Sequence, residues 1–230
     1  MATASKRYQE VYEKIDRAKQ YSLDEAVQLL KNTASANFDE TVELHIKLGA
    51  DPTKGDQTVR GTIVLPHGTG KVPRVAVFAP GEMAQEVREM GADRVGDEDL
   101  VKAIEEGWDD FDILVAHPQM MGLIGSRLGP ILGPRMPSKK AGNITPDVAQ
   151  AVKDLKRGRV EYRMDRGGVI HIPVGKVSFD DEQLRENITA LLETVDAARP
   201  SAVTGRFIRG ATLTSTMGPG IKLDLSNLVG

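Results

Sequence analysis

Two kinds of strand pattern divide this chain of 230 residues, and their order constrains the fold. Residues 41–48 alternate apolar and polar side chains, which is typical of a half-buried strand. Residues 75–79 are apolar throughout, as in a strand buried on both faces of a parallel sheet. Alternation returns towards the end, but neither end has enough strands to form a sheet alone. The pattern therefore predicts an α/β protein in which a discontinuous α+β domain, residues 1–67 and 160–230, is interrupted by a Rossmann-like parallel α/β domain, residues 68–159.

Capping and turn residues mark the individual elements. Ser22 begins a capping box with Glu25, and Asp180 caps a long amphipathic helix. Thr145 is predicted to cap a helix that ends at Gly158. Further helices are predicted over 82–90, 98–106 and 119–128, with a loop rich in Gly and Pro after the last. Further strands are predicted over 59–65, 94–95, 111–116, 206–217 and 220–225, together with a hairpin of 160–165 and 169–177.

The charge distribution is more informative than the total. The net charge of −3 and the acidic isoelectric point argue mildly against a nucleic-acid partner. Residues 82–112, however, contain twelve acids and three bases, whereas residues 119–163 contain nine bases and three acids. Charged helix surfaces alone would explain either cluster. The separation nevertheless leaves room for a polyanion partner, and we expect the acidic helices to face solvent away from it.

The sequence excludes several classes of function. There is no cysteine for disulfides or thiolate chemistry, and neither a membrane span nor a secretion signal is indicated. No phosphate-binding glycine motif, zinc-protease motif or nucleophile elbow is present. We therefore predict no enzyme activity, metal, cofactor, small-molecule substrate or membrane contact. The competing hypothesis is a hinged α/β enzyme or small-molecule binder with its ligand between the domains.

Three segments carry chemistry suited to RNA. A glycine-rich segment leads into Arg135, Lys139 and Lys140, which supply positive charge for phosphates, although a flexible surface loop has the same composition. The polar face of 41–48 carries mixed donors, which an ordinary solvated sheet face also has. Threonines alternate along a late strand that ends in 215–218, where hydroxyl and backbone groups suit ribose and phosphate. The alternative is that these threonines are present only because threonine favours β-strands.

Several motifs in register resemble the bacterial branch of the ribosomal protein L1 family. They begin with Phe38-Asp39-Glu40-Thr41-Val42-Glu43-Leu44-His45 and continue in order with Asp56-Gln57-Thr58-Val59-Arg60-Gly61, Leu65-Pro66-His67-Gly68, Ile131-Leu132-Gly133-Pro134-Arg135, Pro173-Val174-Gly175-Lys176 and Thr216-Met217-Gly218-Pro219. The resemblance runs from about residue 6 to residue 225. It implies a two-domain protein of the large ribosomal subunit.

The resemblance also implies what such a chain binds. Its first domain would grip ribosomal RNA at the base of a mobile stalk, where deacylated tRNA leaves the ribosome in the cytoplasm. Similar proteins bind a mimic of this site on their own messenger RNA and repress its translation. By motif, the RNA contacts include Phe38, Thr41, Ser215, Thr216, Met217 and Gly218. Charge and strand face add His45, Lys47, Arg60, Arg163 and Lys176, and the inserted domain adds a weaker contact through Arg135, Lys139 and Lys140.

Two features depart from the family pattern. The family loop after Gly-Pro-Arg usually reads Gly-Leu-Met-Pro-Asn-Pro-Lys-Ala-Gly, whereas residues 136–142 are two residues shorter and carry Ser138-Lys139 in place of Asn-Pro. The chain is also acidic overall, although a ribosomal protein of this kind would usually be basic. The loop sequence weakens any inference about RNA contacts of the inserted domain.

Overall fold

The computed structural model describes residues 5–226, which form two compact units. The described parts of residues 1–70 and 160–230 make up one, named here the split unit. Residues 71–159 make up the other, the inserted unit.

The described part of the chain contains seven α-helices, four short 3-10 helices and nine strands. The helices are α1 (Lys6–Tyr12), α2 (Leu23–Thr33), α3 (Ala84–Glu89), α4 (Glu98–Glu105), α5 (Met121–Leu132), α6 (Val148–Lys156) and α7 (Asp181–Ala197). The strands are β1 (Thr41–Leu48), β2 (Arg60–Val64), β3 (Val75–Phe78), β4 (Arg94–Gly96), β5 (Ile113–Ala116), β6 (Arg159–Arg163), β7 (Val169–Lys176), β8 (Ile208–Ser215) and β9 (Ile221–Lys222).

The split unit is built on an antiparallel sheet in the order β7-β1-β8-β9. Strand β1 comes from the early part of the chain, while its two neighbours come from the late part. The buried residues of β1, which include Val42, Leu44 and Ile46, join those of α2 and α7 in one core. The other face of β1 is polar and partly exposed, as the alternation predicts. Neither piece of this unit supplies the sheet alone.

Two caps agree with the sequence. The Ser22 hydroxyl accepts a hydrogen bond from the backbone N–H of Glu25 at the start of α2. Asp180 and Gln183 form a reciprocal capping box at the start of α7, with the Asp180 N–H donating to the Gln183 side chain at 3.1 Å. Both caps satisfy N–H groups that the first helical turn leaves without partners.

The predicted hairpin of 160–177 is wrong beyond its turn. Strand β6 pairs with β2 in a separate two-stranded sheet, and only a single bridge, Met164 to Ile170, links it to β7. Tyr162 and Met164 are buried in the same core as Val59 and Ile63. Packing of β6 against the segment around β2 therefore competes with continued pairing along β7, which alternation alone does not reveal.

The inserted unit contains a parallel sheet in the order β4-β3-β5. Val75 and Val77 pack with α3 and α6 on one face, and Ala76 and Phe78 pack with α4 and α5 on the other. Burial on both faces explains why β3 is a continuous apolar run. This arrangement confirms the predicted parallel α/β layer.

Two predictions in the inserted unit need correction. Helix α5 does not end at residue 128 but continues through Gly129 and Pro130 to Leu132. Ile124, Leu128 and Leu132 recur every four residues and are buried, so burial of this face outweighs the unfavourable Gly and Pro. The cap of α6 is Asp147, whose carboxylate accepts from Gln150, rather than Thr145.

All twelve acidic side chains of 82–112 belong to exposed residues, as expected for helices that face solvent. Several have basic partners. Asp112 accepts from the Arg74 N–H at 2.9 Å and pairs with Lys71, and these contacts lower its pKa to about 2. Between residues 5 and 226, no helix combines the length and apolar character needed to cross a membrane.

Candidate nucleic-acid interface

The first residues of β1 and the last residues of β8 lie side by side at one end of the four-stranded sheet. The strands are antiparallel, and Val42 pairs with Ser215. The loop that enters β1 carries Phe38, and the loop that leaves β8 carries Thr216–Gly218. Antiparallel pairing thus brings together two motifs that are about 175 residues apart in the chain.

A buried carboxylate joins the two loops. Glu40 is 2 % exposed and accepts four hydrogen bonds. Two come from the first loop, from the N–H groups of Ser35 at 3.2 Å and Ala36 at 3.1 Å. The other two come from the end of β8 and the loop that follows it, from the Ser215 hydroxyl at 2.7 Å and the Met217 N–H at 2.8 Å. Glu40 therefore fixes the relative position of both loops.

The charge of Glu40 is stabilised where it lies. Burial by itself raises the pKa of a carboxyl group, but the hydrogen bonds from Met217, Ser215, Ala36 and Ser35 outweigh burial and lower the pKa of Glu40 below its ordinary value. Glu40 is consequently ionised at neutral pH. An ionised acceptor suits an anchor for four donors, because charge-assisted hydrogen bonds are the stronger kind.

Threonine and lysine contacts close the same end of the sheet. The Thr216 hydroxyl accepts from the Thr41 N–H at 3.0 Å, and the Thr216 N–H donates to the Thr41 carbonyl at 3.1 Å. Lys176, the last residue of β7, donates to the Thr41 hydroxyl at 2.8 Å. A cation and two hydroxyl groups therefore lie next to the loops that Glu40 holds.

Two large apolar side chains project from this surface. Phe38 is 56 % exposed and Met217 is 46 % exposed, so Phe38 is not a core residue. We name this surface the strand-end platform. It consists of Phe38, Thr41, Lys176, Thr216, Met217 and Gly218 around the buried Glu40 and Ser215.

Ser215 and Gly218 hold the shape of the platform. Ser215 is 3 % exposed and its hydroxyl is committed to Glu40, so its side chain positions the loop rather than facing a ligand. A Cβ atom on Gly218 would lie 2.5 Å from the Ser215 hydroxyl oxygen. Only glycine leaves that hydroxyl undisturbed.

The remaining residues predicted for the split unit lie away from the platform. His45 and Lys47 share its strand and polar face but lie further along β1, where His45 Nδ1 is 2.7 Å from His171 Nδ1. Burial and the neighbouring His171 lower the pKa of His45, against an opposing effect of Glu43. Arg60 and Arg163 are exposed on β2 and β6, in the other sheet. The structure thus does not join them to the platform.

The predicted residues of the inserted unit are exposed but not clustered by hydrogen bonds. Arg135 lies over the Phe111 ring at 4.8 Å and is 4.0 Å from Asp109. Lys139 and Lys140 occupy the short turn after α5, which the Ser138 hydroxyl closes by accepting from Ala141. The structure shows an ordered turn here, but it does not bring Arg135, Lys139 and Lys140 together into one binding site.

Sequence reasoning missed two residues, Glu40 and Arg7. Glu40 lies two residues before Val42, on the side of the strand that carries the buried residues 42, 44 and 46. An acidic residue at such a position is a signal of a buried carboxylate that the sequence already contains. Arg7 of α1 donates to the Ser35 hydroxyl at 2.7 Å and to the Met217 carbonyl at 3.3 Å. Its distance along the chain from both partners left no local signal.

Comparison with known proteins decides the family. A model described as "Ribosomal protein L1p/L10e family" matches residues 30–219. The chain belongs to the ribosomal protein L1 family. A curated relative, the "Large ribosomal subunit protein uL1" of Kosmotoga olearia, is 54 % identical over 231 residues and covers 100 % of both chains. These matches confirm the resemblance to bacterial L1 proteins.

As a member of the L1 family, the chain is a structural constituent of the large ribosomal subunit. The family is structural, which confirms the prediction that the chain is not an enzyme and removes the competing hinged-enzyme hypothesis. The match to a large-subunit protein also confirms the ribosomal localisation expected from the motifs. Within the part of the chain that the structure describes, no group of three or more His, Asp and Glu residues is placed to hold a metal ion.

Proposed function

We propose that the strand-end platform of this large-subunit protein binds ribosomal RNA at the base of the mobile stalk, near the site where tRNA leaves. The strongest support is that two exposed apolar side chains project from loops whose backbone is held in place by hydrogen bonds. Phe38 and Met217 project outward, while Glu40 holds both of their loops. A surface ordered before binding loses less entropy when it binds.

The chemistry of the platform suits folded RNA. Phe38 and Met217 offer apolar surface to unstacked bases and sugars. The Thr216 hydroxyl uses one acceptor position for Thr41 and retains a second lone pair that a ribose hydroxyl can approach. Lys176 adds a positive charge next to Thr41 for a phosphate oxygen. In this mechanism the shape of the RNA and its ribose groups matter more than total charge.

Two finer roles belong to the same proposal. The inserted unit assists the release of deacylated tRNA, with Arg135, Lys139 and Lys140 as its exposed cations. The platform also binds a mimic of the ribosomal site in the leader of the chain's own messenger RNA and so represses translation. One surface serves both RNAs, so the platform variants below weaken the two complexes together. The discontinuous RNA-binding domain, residues 1–67 and 160–230, and the inserted domain, residues 68–159, are the functional division we propose.

Paired substitutions test the platform. Thr216→Val and Met217→Ala are each expected to weaken binding of a stalk ribosomal RNA fragment on the order of tenfold at fixed salt, equivalent to about 1.4 kcal/mol. Thr204→Val, in an exposed loop of the same unit, and Met90→Ala, at a position 38 % exposed in the inserted unit, are the matched controls. Wild-type affinity in folded Thr216→Val and Met217→Ala proteins would refute the assignment.

Salt dependence separates the proposal from general electrostatic binding. A protein that neutralises Z phosphates shows a slope of log affinity against log salt of roughly −0.7Z to −0.9Z. The platform has one cation, Lys176, so its slope is expected to be far shallower than for a protein with 6 to 10 phosphate contacts. A steep slope would instead favour binding through the scattered surface cations.

A further inference from the structure

A recess lies in the split unit, between α1 and β9. Its volume is about 270 Å³, and its walls include Tyr8, Tyr12, Arg17, Lys19, Thr212 and Lys222. Thr212 pairs with Lys222 on one side and with His45 on the other. Directly paired residues point to the same side of a sheet, so the recess shares the polar face that also carries His45.

The recess combines aromatic rings with positive charge. The ring centroids of Tyr8 and Tyr12 are 5.8 Å apart, and the Arg17 guanidinium carbon lies 5.3 Å from the centre of the Tyr12 ring. The Lys222 ammonium donates to the Arg17 carbonyl at 3.1 Å, which fixes the wall of the recess. Neither tyrosine is fully buried.

Positive charge dominates the lining. Among the described residues that line the recess, Asp16 is the one carboxylate, and it accepts from the Ala18 N–H at 2.9 Å. Three cations, Arg17, Lys19 and Lys222, also line the recess. Lys19 also pairs with Glu25 at 3.2 Å. The excess of cations favours an anionic ligand, and the rings favour one with a flat face.

Helix α1 links the recess to the strand-end platform. Arg7 contacts both platform loops, through the Ser35 hydroxyl and the Met217 carbonyl. Tyr12 ends the same helix five residues later, about 7.5 Å further along the helix axis at 1.5 Å per residue. An RNA held on Met217 therefore lies close to the recess.

We propose that this recess receives one unstacked nucleotide of the RNA that the platform binds. The base lies against the Tyr8 and Tyr12 rings, and the phosphate lies near Arg17 and Lys222. Aromatic side chains and guanidinium groups are the usual partners of bases that leave the RNA stack. The proposal rests on the proposed RNA-binding function and adds a contact outside the motifs quoted above, which begin at Phe38.

Substitutions of Tyr12 test the role of the ring. In the full chain, Tyr12→Leu keeps apolar volume but removes the aromatic face, and it is expected to weaken binding of the stalk ribosomal RNA fragment on the order of tenfold. Tyr12→Phe keeps the ring and is expected to bind within about twofold of wild type. Equal affinities of the two variants would overturn the stacking contact. Tyr8→Leu provides a second variant should Tyr12→Leu fail to fold.

Tyrosine NMR gives a readout that needs no variant. The chain has four tyrosines, and Tyr162 is buried in the core as an internal reference. On addition of the RNA fragment, ring signals of Tyr8 and Tyr12 are expected to move upfield while the Tyr162 signal stays in place. Unmoved Tyr8 and Tyr12 signals in an otherwise saturated complex would contradict the proposal but leave the platform intact.

Free nucleotides distinguish the source of the ligand. AMP and UMP alone are expected to shift the tyrosine signals only weakly, because they lack the contacts of the platform. Tight binding of either nucleotide, with unchanged RNA affinity of Tyr12→Leu, would overturn the proposal in favour of a free nucleotide. Failure of the wild-type chain to bind the RNA fragment would instead refute the proposed function itself.

Discussion

The strand-end platform and the loop after α5 present the groups proposed to bind RNA in two different ways. In the platform, a buried carboxylate holds two distant loops, and apolar side chains project from a fixed backbone. In the loop after α5, Lys139 and Lys140 are exposed on a local turn. The difference teaches that charge content alone does not show which surface is held in a fixed shape. In the function proposed here, recognition of folded RNA depends on the internal hydrogen bonds that hold the platform.

The largest expected effect comes from the carboxylate that distinguishes the platform. Glu40→Gln replaces two acceptor oxygens with one and places an amide N–H₂ against buried donors. Each donor left without a partner costs about 1–3 kcal/mol. We expect a loss of unfolding free energy of about 2 kcal/mol and a fall in affinity for the stalk RNA fragment on the order of 100-fold.

The control for Glu40→Gln is the neighbouring carboxylate. Asp39→Asn changes an exposed side chain that accepts from Ser178. Urea unfolding and RNA titration of both variants provide the measurement, and Asp39→Asn is expected to resemble wild type in both. If Glu40→Gln also bound RNA like wild type, the platform would not need its buried anchor.

A smaller effect is expected at the glycine that leaves room for the Ser215 hydroxyl. In Gly218→Ala, the added Cβ would meet the Ser215 oxygen at 2.5 Å, so the hydroxyl must move away from Glu40. We expect RNA binding to weaken by roughly tenfold, since one of four anchoring bonds is disturbed. In Gly122→Ala of α5, the new Cβ has no neighbour within 4 Å and the affinity is expected not to change. An unaffected Gly218→Ala protein would show that the loop tolerates displacement.

The smallest effect is expected from the exposed loop. Replacing Lys139 and Lys140 together by Ala removes two solvated charges from the inserted unit. Surface charges at physiological salt contribute little, so affinity for the stalk RNA fragment is expected to fall less than about twofold. Filter binding at two salt concentrations measures this. A tenfold loss of affinity would show that the loop after α5 contributes to RNA binding as much as the platform does, which contradicts the comparison.

Sequence patterns predicted the kinds of sheet better than they predicted contacts between distant elements. Alternation in 41–48 and the apolar run around Val75 were sufficient to predict both kinds of sheet, because burial on one face or two leaves a local signature. The partner of β6 was missed, since pairing with β2 depends on packing between distant residues. Helix α5 was predicted too short because Gly129 and Pro130 are local helix breakers, whereas the burial of Leu132 is a tertiary effect.

The same distinction applies to the platform. The family motifs pointed to Phe38, Thr216 and Met217, and the structure places these residues together at one end of the sheet. The roles of Glu40 and Arg7 in holding the loops could not be assigned from the neighbouring sequence. Both act through hydrogen bonds to residues far away in the chain, which only the folded structure brings into contact.

Crosslinking in intact large ribosomal subunits tests the central claim most directly. Ultraviolet irradiation followed by mass spectrometry identifies the peptides that become attached to ribosomal RNA. Our account predicts crosslinks at Phe38 and Met217, the exposed apolar side chains of the platform. Crosslinks confined to residues 122–142 of the inserted unit, with none at Phe38 or Met217, would contradict it.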